Sequence, residues 1–236
     1  MVFSFFTSSA DLTKESPIHS IFCSKRKLRS SLSFFVKQGN EISVFGRFTP
    51  LFDCNRPPKT TFSFTLFFPL LFSTNKDNFP SVRVVLLKEF NQKGFVFYTN
   101  LNSQKGNELK ENPKAAMCFH WKSLLRQIRV SGTVIKVTDE VADQYYNSRG
   151  YESRIGAWAS KQSKELDSRS ELINLIREFK QKYNDVNKVP RPSHWSGWNL
   201  SPSSIEFWLD GDSRIHERLK YTKDKNSKWI KSLLSP

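Results

Sequence analysis

Cysteine is scarce and scattered. The chain has three, Cys23, Cys54 and Cys118, too few and too far apart for a disulfide framework, and no C-x-x-C pair to hold a metal. A reducing, cytoplasmic location is therefore the expectation, and Cys118 within AAMCFHW reads as a small core residue. Long apolar runs are also missing. The most apolar stretch, residues 61–72 (TFSFTLFFPLLF), contains Pro69 and is too short to cross a bilayer as a helix. The N-terminus does not show a positive region, apolar core and small-residue cleavage site in order, which argues against a secretory signal. Its Phe-, Ser- and basic-rich character is a faint match to an organelle transit segment. Acidic residues are outnumbered, 22 against 37 Lys and Arg, giving a net charge of +15. That sign suits nucleic acid, acidic membranes or phosphorylated metabolites. The longest basic block is the KRK at 25–27, and so short a block weakens the reading as a nucleic-acid module.

The chain changes character near Lys76. Fifteen of its 21 phenylalanines fall in the first 80 residues, among many serines and few acids, with no steady helical or strand period. Residues 1–76 thus read as an atypical segment, disordered, transit-like or mis-specified, and residues 77–236 as one folded domain. Residues 81–88 form an apolar, β-branched strand; 89–94 supply a turn punctuated by Asn91 and Gly94; and 95–99 (FVFYT) return as its partner. Ser103 stands as N-cap to a helix over 104–111 that Pro113 ends. A helix N-terminus can hold an anion, and Lys105 lies in this first turn. Strands follow over 115–121 and 127–137, and Thr138 caps a helix to about Ser148 with Asp139 and Glu140 in its first turn. Ser168 and Glu171 make a capping box before the stripe Leu172, Leu175, Ile176, Phe179 and Tyr183. Residues 198–200 and 205–209 read as a hairpin, and 214–220 as a last basic strand. Short strands with three inserted helices predict a mainly β (α+β) fold, a small antiparallel barrel with flanking helices.

Several motifs in this order carry a resemblance: RVVLLK from Arg83, GFVFYTN, S-x-K-G, NP-x-AA, and W-x(4)-RQ-x-RV. Y-x(3)-R-x(3)-S-x-IGAW, S-x-QS, VPRP-x-HW-x-G and IEFW-x(5)-RIHER follow. Residues 77–236 resemble the pyridoxine (pyridoxamine) 5′-phosphate oxidase family. The resemblance implies a split β-barrel that binds flavin mononucleotide (FMN) at a homodimer interface. It also implies oxidation of pyridoxine or pyridoxamine 5′-phosphate to pyridoxal 5′-phosphate, with molecular oxygen as acceptor and hydrogen peroxide released. Hydride would pass from C4′ of the substrate to flavin N5, and the imine from the amine substrate would hydrolyse to aldehyde and ammonia. No protein nucleophile or metal is required.

By the same resemblance, Arg83, Val84, Val85, Leu86, Leu87 and Lys88 line the flavin, with Arg83 facing its phosphate. Tyr98, Thr99, Gln104, Lys105, Gln127, Gln162, Ser163, Trp208 and Arg218 complete the cofactor set. Position 104 is often arginine in the family, so Gln104 here predicts weaker phosphate binding. Lys88, Tyr145, Arg149, Ser153, Arg214, Ile215 and His216 match substrate-binding positions, and Arg214 and His216 the catalytic pair. Helical spacing puts Tyr145, Arg149 and Ser153 on one face, a hydroxyl–guanidinium–hydroxyl clamp for a phosphate ester. Gly150 reads as the helix end, which would bring Ser153 in from a loop. Arg214 and His216, two apart, would point the same way on a strand. His120 and His194 read as structural. Because the family's N-terminal lid and first strand are not recognisable, the alternative is a catalytically impaired flavin- or pyridoxal-phosphate-binding protein.

Overall fold

The computed structural model describes residues 68–236. Its strands are β1 (Leu70–Thr74), β2 (Pro80–Val84), β3 (Leu87–Asn91), β4 (Gly94–Asn100), β5 (Lys114–Trp121), β6 (Arg126–Lys136), β7 (Trp195–Leu209), β8 (Glu217–Lys223) and β9 (Trp229–Leu234). Helix α1 (Gln104–Glu111) lies between β4 and β5, and α2 (Asp139–Asn147), α3 (Tyr151–Ala159) and α4 (Arg169–Lys182) lie between β6 and β7. No helix among the described residues is long and apolar enough to cross a membrane.

All pairings are antiparallel, in the order β2-β1-β5-β6-β7-β4-β3, with β8 on β7 and β9 on β8. Strand β7 is the spine. Its first half pairs with β4, from Asn100↔Trp195 to Phe95↔Leu200, and its second half with β8, from Ser204↔Thr222 to Leu209↔Glu217. Its other edge follows β6 from Lys136↔Trp198 to Arg126↔Leu209. Two partners sharing one edge divide the sheet, which gives the expected split β-barrel with helices at its flank. The division falls where the β6–β7 register shifts, between Ser131 and Gly132, opposite Pro202. Proline lacks the N–H that a regular ladder needs and is tolerated at such a bulge. Gly132 is needed there: a Cβ would lie 2.0 Å from the Ser201 carbonyl oxygen.

Strand β5 alternates buried and less buried residues, the pattern of a strand with one core face. Strand β4 is buried along nearly its whole length, so its aromatic and β-branched run packs on both faces. Leu71, Phe97, Met117, Val130, Leu200 and Ile205 form the centre of the core. Burying each such side chain contributes about 1.5–3 kcal/mol. All three predicted N-caps form: Ser103 accepts from Gly106 N–H, Thr138 from Val141 N–H and Ser168 from Glu171 N–H. The stripe on α4 is its half-buried face, where Phe179 and Tyr183 pack on Trp158.

Five expectations are corrected. The ordered sheet begins at Leu70, not at residue 77, because β1 pairs with both β2 and β5; residues 1–67 lie outside the described part. Residues 81–88 are not one strand: the chain leaves β2 after Val84, where Val85 N–H bonds Pro69 O, and re-enters the sheet as β3. Residues 198–209 are not a hairpin but one continuous strand, since the bulge absorbs Pro202 without reversing the chain. Gly150 does not deliver Ser153 from a loop; it is the N-cap of α3, and Ser153 sits in that helix's first turn. Arg214 and His216 precede β8: Arg214 ends a 3-10 turn with φ of 64°, so alternation along a strand does not align the pair.

Candidate active site

Where β4 ends, Ser103 N–H and Oγ both bond Asn100 O, and α1 starts immediately. This tight link sets Lys105 beside Thr99. Lys105 Nζ donates to Thr99 Oγ1 at 2.8 Å and to Gln162 Oε1, just after α3, at 3.1 Å. Both acceptors are neutral. Burial and then repulsion from Arg83 push the Lys105 amine down to about 8, with Glu108 opposing weakly. Arg83, on β2, donates to Ser73 Oγ, Ser81 Oγ and, at 3.1 Å, Glu108 Oε2. Glu108 is buried within α1 and also accepts from Ser73 Oγ, Ser81 Oγ and Gln104 Nε2. Burial alone would raise its pKa, but these hydrogen bonds and the Arg83 charge hold it below the usual carboxylate range. The result is Lys105, facing only neutral acceptors, beside an Arg83 already paired with Glu108; an anion at Lys105 would relieve the repulsion that remains. A phosphate monoester, as on FMN, fits that arrangement.

A second cationic site lies against an aromatic wall. Tyr98 stacks on Tyr145 at 4.0 Å and on Trp195 at 5.2 Å between ring centroids. Burial, then the charges of Glu89 and Tyr145, push the Tyr98 hydroxyl up to about 12, so it stays a neutral donor. Arg149 follows α2 and lies 4.8 Å from the Trp195 ring centre and 5.8 Å from that of Tyr146. Burial lowers its pKa, and its buried Nη1 has no hydrogen-bond partner. Lys88 Nζ sits 5.5 Å over the Tyr145 ring. Two cations on an aromatic surface, one with an orphaned donor, suit a flat anionic ligand. Ser153 is exposed in the first turn of α3 and makes no contact with this cluster, while Ser163 takes a left-handed φ of 69° just past Gln162. Of the run expected to line the flavin, Val85 and Leu87 are core residues, while Val84 and Leu86 are exposed.

The remaining predicted residues gather at the far end of β7. Gln127 lies beside Trp208 in the β6–β7 ladder, and Trp208 beside Arg218 in the β7–β8 ladder. His216 packs on Trp208, with ring centroids 4.6 Å apart. Its Nδ1 is 3.0 Å from Asp210 Oδ1 and 3.3 Å from Gly211 N. A protonated Nδ1 donates to Asp210, whereas a bare one accepts from Gly211, so the two contacts belong to different states of the ring. Arg218 pairs with Glu206 Oε1, whose other oxygen meets Arg129. Arg214 and Ile215 lie in the turn between β7 and β8, Ile215 largely exposed. Trp208 lies eleven positions along β7 from Gly197, which is beside Tyr98. That is up to roughly 35 Å of strand.

Residues 69–183 match the family described as pyridoxamine 5′-phosphate oxidase, and residues 195–236 its C-terminal dimerisation region. A curated relative from Pelagibacter ubique (strain HTCC1062), pyridoxine/pyridoxamine 5′-phosphate oxidase, is 72% identical over 166 residues, covering 70% of this chain and 80% of the relative. The chain belongs to the pyridoxamine 5′-phosphate oxidase family. A relative of the same description from Chelativorans sp. (strain BNC1) is 51% identical over 166 residues, again 70% of this chain and 79% of the relative. Among solved structures, PhzG from Burkholderia lata 383, in complex with tetrahydrophenazine-1-carboxylic acid, superposes with a TM-score of 0.67 at 30% identity, covering 71% of this chain and 82% of that one. A pyridoxamine 5′-phosphate oxidase-related, FMN binding protein from Nostoc punctiforme PCC 73102 shares the fold, with a TM-score of 0.60 at 13% identity, covering 74% and 90%.

The residues that the resemblance to the oxidase family singled out fall into three groups in the fold. Arg83, Thr99, Lys105 and Gln162 meet in one cluster, Lys88, Tyr98, Tyr145 and Arg149 in a second, and Gln127, Trp208, His216 and Arg218 in a third. Gln104 donates to Glu108, the same carboxylate that pairs with Arg83. Sequence reasoning gave no role to Glu108, Ser73, Ser81, Trp195, Glu206 or Asp210. Trp195 carried a signal, since it stands in the quoted VPRP-x-HW motif. Ser73 lay in the segment set aside on composition. His194 bonds Ala157 O through Nε2 and packs edge-on to Trp158, a structural placement.

Proposed function

We propose that this protein oxidises pyridoxine 5′-phosphate and pyridoxamine 5′-phosphate to pyridoxal 5′-phosphate, with FMN as cofactor and molecular oxygen as acceptor, releasing hydrogen peroxide. The observation that carries the reading is the presence of two separate cationic sites, Lys105 with Arg83 and Arg149 with Lys88, joined through β4. Such a pair matches a phosphorylated cofactor next to a phosphorylated substrate. When bound, FMN supplies the hydride acceptor and the route to oxygen. The protein supplies position and charge. Lys105, Arg83, Thr99 and Gln162 would hold the cofactor phosphate. Arg149, Lys88, Tyr145 and Ser153 would hold the substrate phosphate, with the Tyr98–Tyr145–Trp195 wall excluding water. Arg214 and His216 would orient the reacting carbon, and Trp208, Gln127 and Arg218 would border the ring system.

These last residues lie at the other end of β7 from the proposed phosphate sites, which supports a site that draws on a second copy of the chain. That separation and the match to a dimerisation region both support a homodimer. The same copy is the proposed cover for the exposed apolar face formed by Leu70, Phe72, Val82 and Val84 on β1 and β2. The impaired-binder alternative rested partly on an unrecognised first strand, and β1 supplies a strand in that stretch.

The deciding experiment is the visible spectrum of the purified protein, loaded with FMN, before and after anaerobic addition of pyridoxine 5′-phosphate. Bleaching of the bound flavin, and its return with oxygen, is expected. Flavin that binds but stays oxidised would mean a binder without turnover. Protein that takes up no flavin would overturn the proposal.

A further inference from the structure

The least expected group near the proposed cofactor phosphate is an acid. Glu108 is 4% exposed and accepts from four side chains: Ser73, Ser81, Arg83 and Gln104. Through them it draws two groups away from the cradle. Arg83 has both terminal nitrogens engaged by Ser73, Ser81 and Glu108, leaving Lys105 as the cation that faces only neutral acceptors. Gln104 occupies the position where the resemblance leads one to expect arginine, and its amide also turns to Glu108, at 2.9 Å. A buried carboxylate in direct contact with Arg83 competes with any phosphate for that guanidinium and repels it as well.

We propose that Glu108 is a positioning residue that restrains the cofactor-phosphate site by holding Arg83 back from the anion. It thereby sets how strongly the protein prefers a phosphorylated flavin over an unphosphorylated one. Arg83 does not depend on Glu108 for its place. Its Cα is fixed by the β1–β2 ladder opposite Leu71, and its guanidinium retains Ser73 Oγ and Ser81 O as acceptors. Removing the carboxylate therefore frees Arg83 for the phosphate without removing it from the site.

The inference rests on the flavin reading, and its test separates the two. FMN and riboflavin are titrated into apo-protein by flavin fluorescence, alongside melting temperature, for wild type, Glu108→Gln, Ser81→Ala, Arg83→Gln and the Glu108→Gln/Arg83→Gln double variant. Wild type is expected to bind FMN more tightly than riboflavin. E108Q should widen that preference about tenfold, the effect of one close charge at a partly buried site, while riboflavin affinity stays constant. S81A loosens one tether on an edge strand without touching the core, and should widen the preference about threefold even if E108Q folds poorly. In the Arg83→Gln background the E108Q gain should vanish. An equal loss of both flavins in E108Q, an unchanged preference in both single variants, or a gain that survives without Arg83 would each overturn the proposal. Wild-type protein that binds neither flavin would overturn the flavin reading and this inference with it.

Discussion

At the proposed cofactor-phosphate site, Lys105 is held at a cost to the fold. An ordinary lysine carries its charge to pH above 10, but here burial and Arg83 bring the amine to about 8. With its folded pKa below the unfolded value, Lys105 destabilises the apo-protein below pH 8. Between pH 8 and about 10.5 the unfolded chain binds more protons, so stability rises with pH across that window as the penalty is relieved. Lys105→Met should therefore stabilise the apo-protein at pH 7 by on the order of 1–2 kcal/mol, after allowance for partial exposure, and should weaken FMN binding. Thermal melts with a parallel flavin titration check both signs; a less stable variant would refute the first. A bound phosphate should restore the charge. FMN affinity in the wild type should then fall about tenfold from pH 7 to pH 9, with proton uptake on binding at pH 8–9. A flat profile would mean that Lys105 does not meet the phosphate. Asp210 makes a smaller case. Its contact to His216 is partly exposed, so Asp210→Asn should lower kcat/KM for pyridoxine 5′-phosphate only two- to fivefold, roughly the worth of a surface ion pair, with flavin content unchanged. Single residues were legible in the sequence where a motif fixed them, as with Lys105, Thr99 and Gln162. Glu108 was not, because a carboxylate four residues after Gln104 reads as a solvated helix face. Its burial is decided by Ser73 on β1, 35 residues upstream.

At the level of elements, the signals that could be read locally were those with local causes. Ser103, Thr138 and Ser168 cap their helices because the hydroxyl acceptor and the N–H it serves are three residues apart. Strand β7 was misread because continuity across Pro202 depends on β6, which offers a bulge opposite it. Gly150 was misread as a terminator because the same freedom that ends one helix can begin the next. Strand β1 was hidden by its Phe-rich surroundings, and only its partners β2 and β5 identify it. The bulge gives the element-scale prediction. Gly132→Ala places a methyl group against the Ser201 carbonyl in the middle of the longest strand, which should cost about 1–3 kcal/mol. A lowered melting temperature with FMN preference over riboflavin retained is expected; an unchanged melting temperature would mean that the two strands separate there easily.

For the whole molecule, the length of β7 sets the test. Its first end holds Trp195, beside Tyr98 and Arg149; its last holds Trp208, beside His216 and the Arg214 turn. If one site draws on the first end of one copy and the last end of another, damage at either end is complemented by the other copy. Arg149→Ala and Arg214→Ala should each be nearly inactive alone as homodimers. Mixed and allowed to exchange subunits at equal concentration, half of the dimers become hybrids, each with one intact site and one doubly damaged site. Activity should then return to about one quarter of wild type. Recovery should follow the rate of subunit exchange and be absent when the two proteins are assayed immediately after mixing. If each protomer built its site alone, no mixing ratio would restore turnover, and the C-terminal cluster would have to act on something other than the substrate held by Arg149.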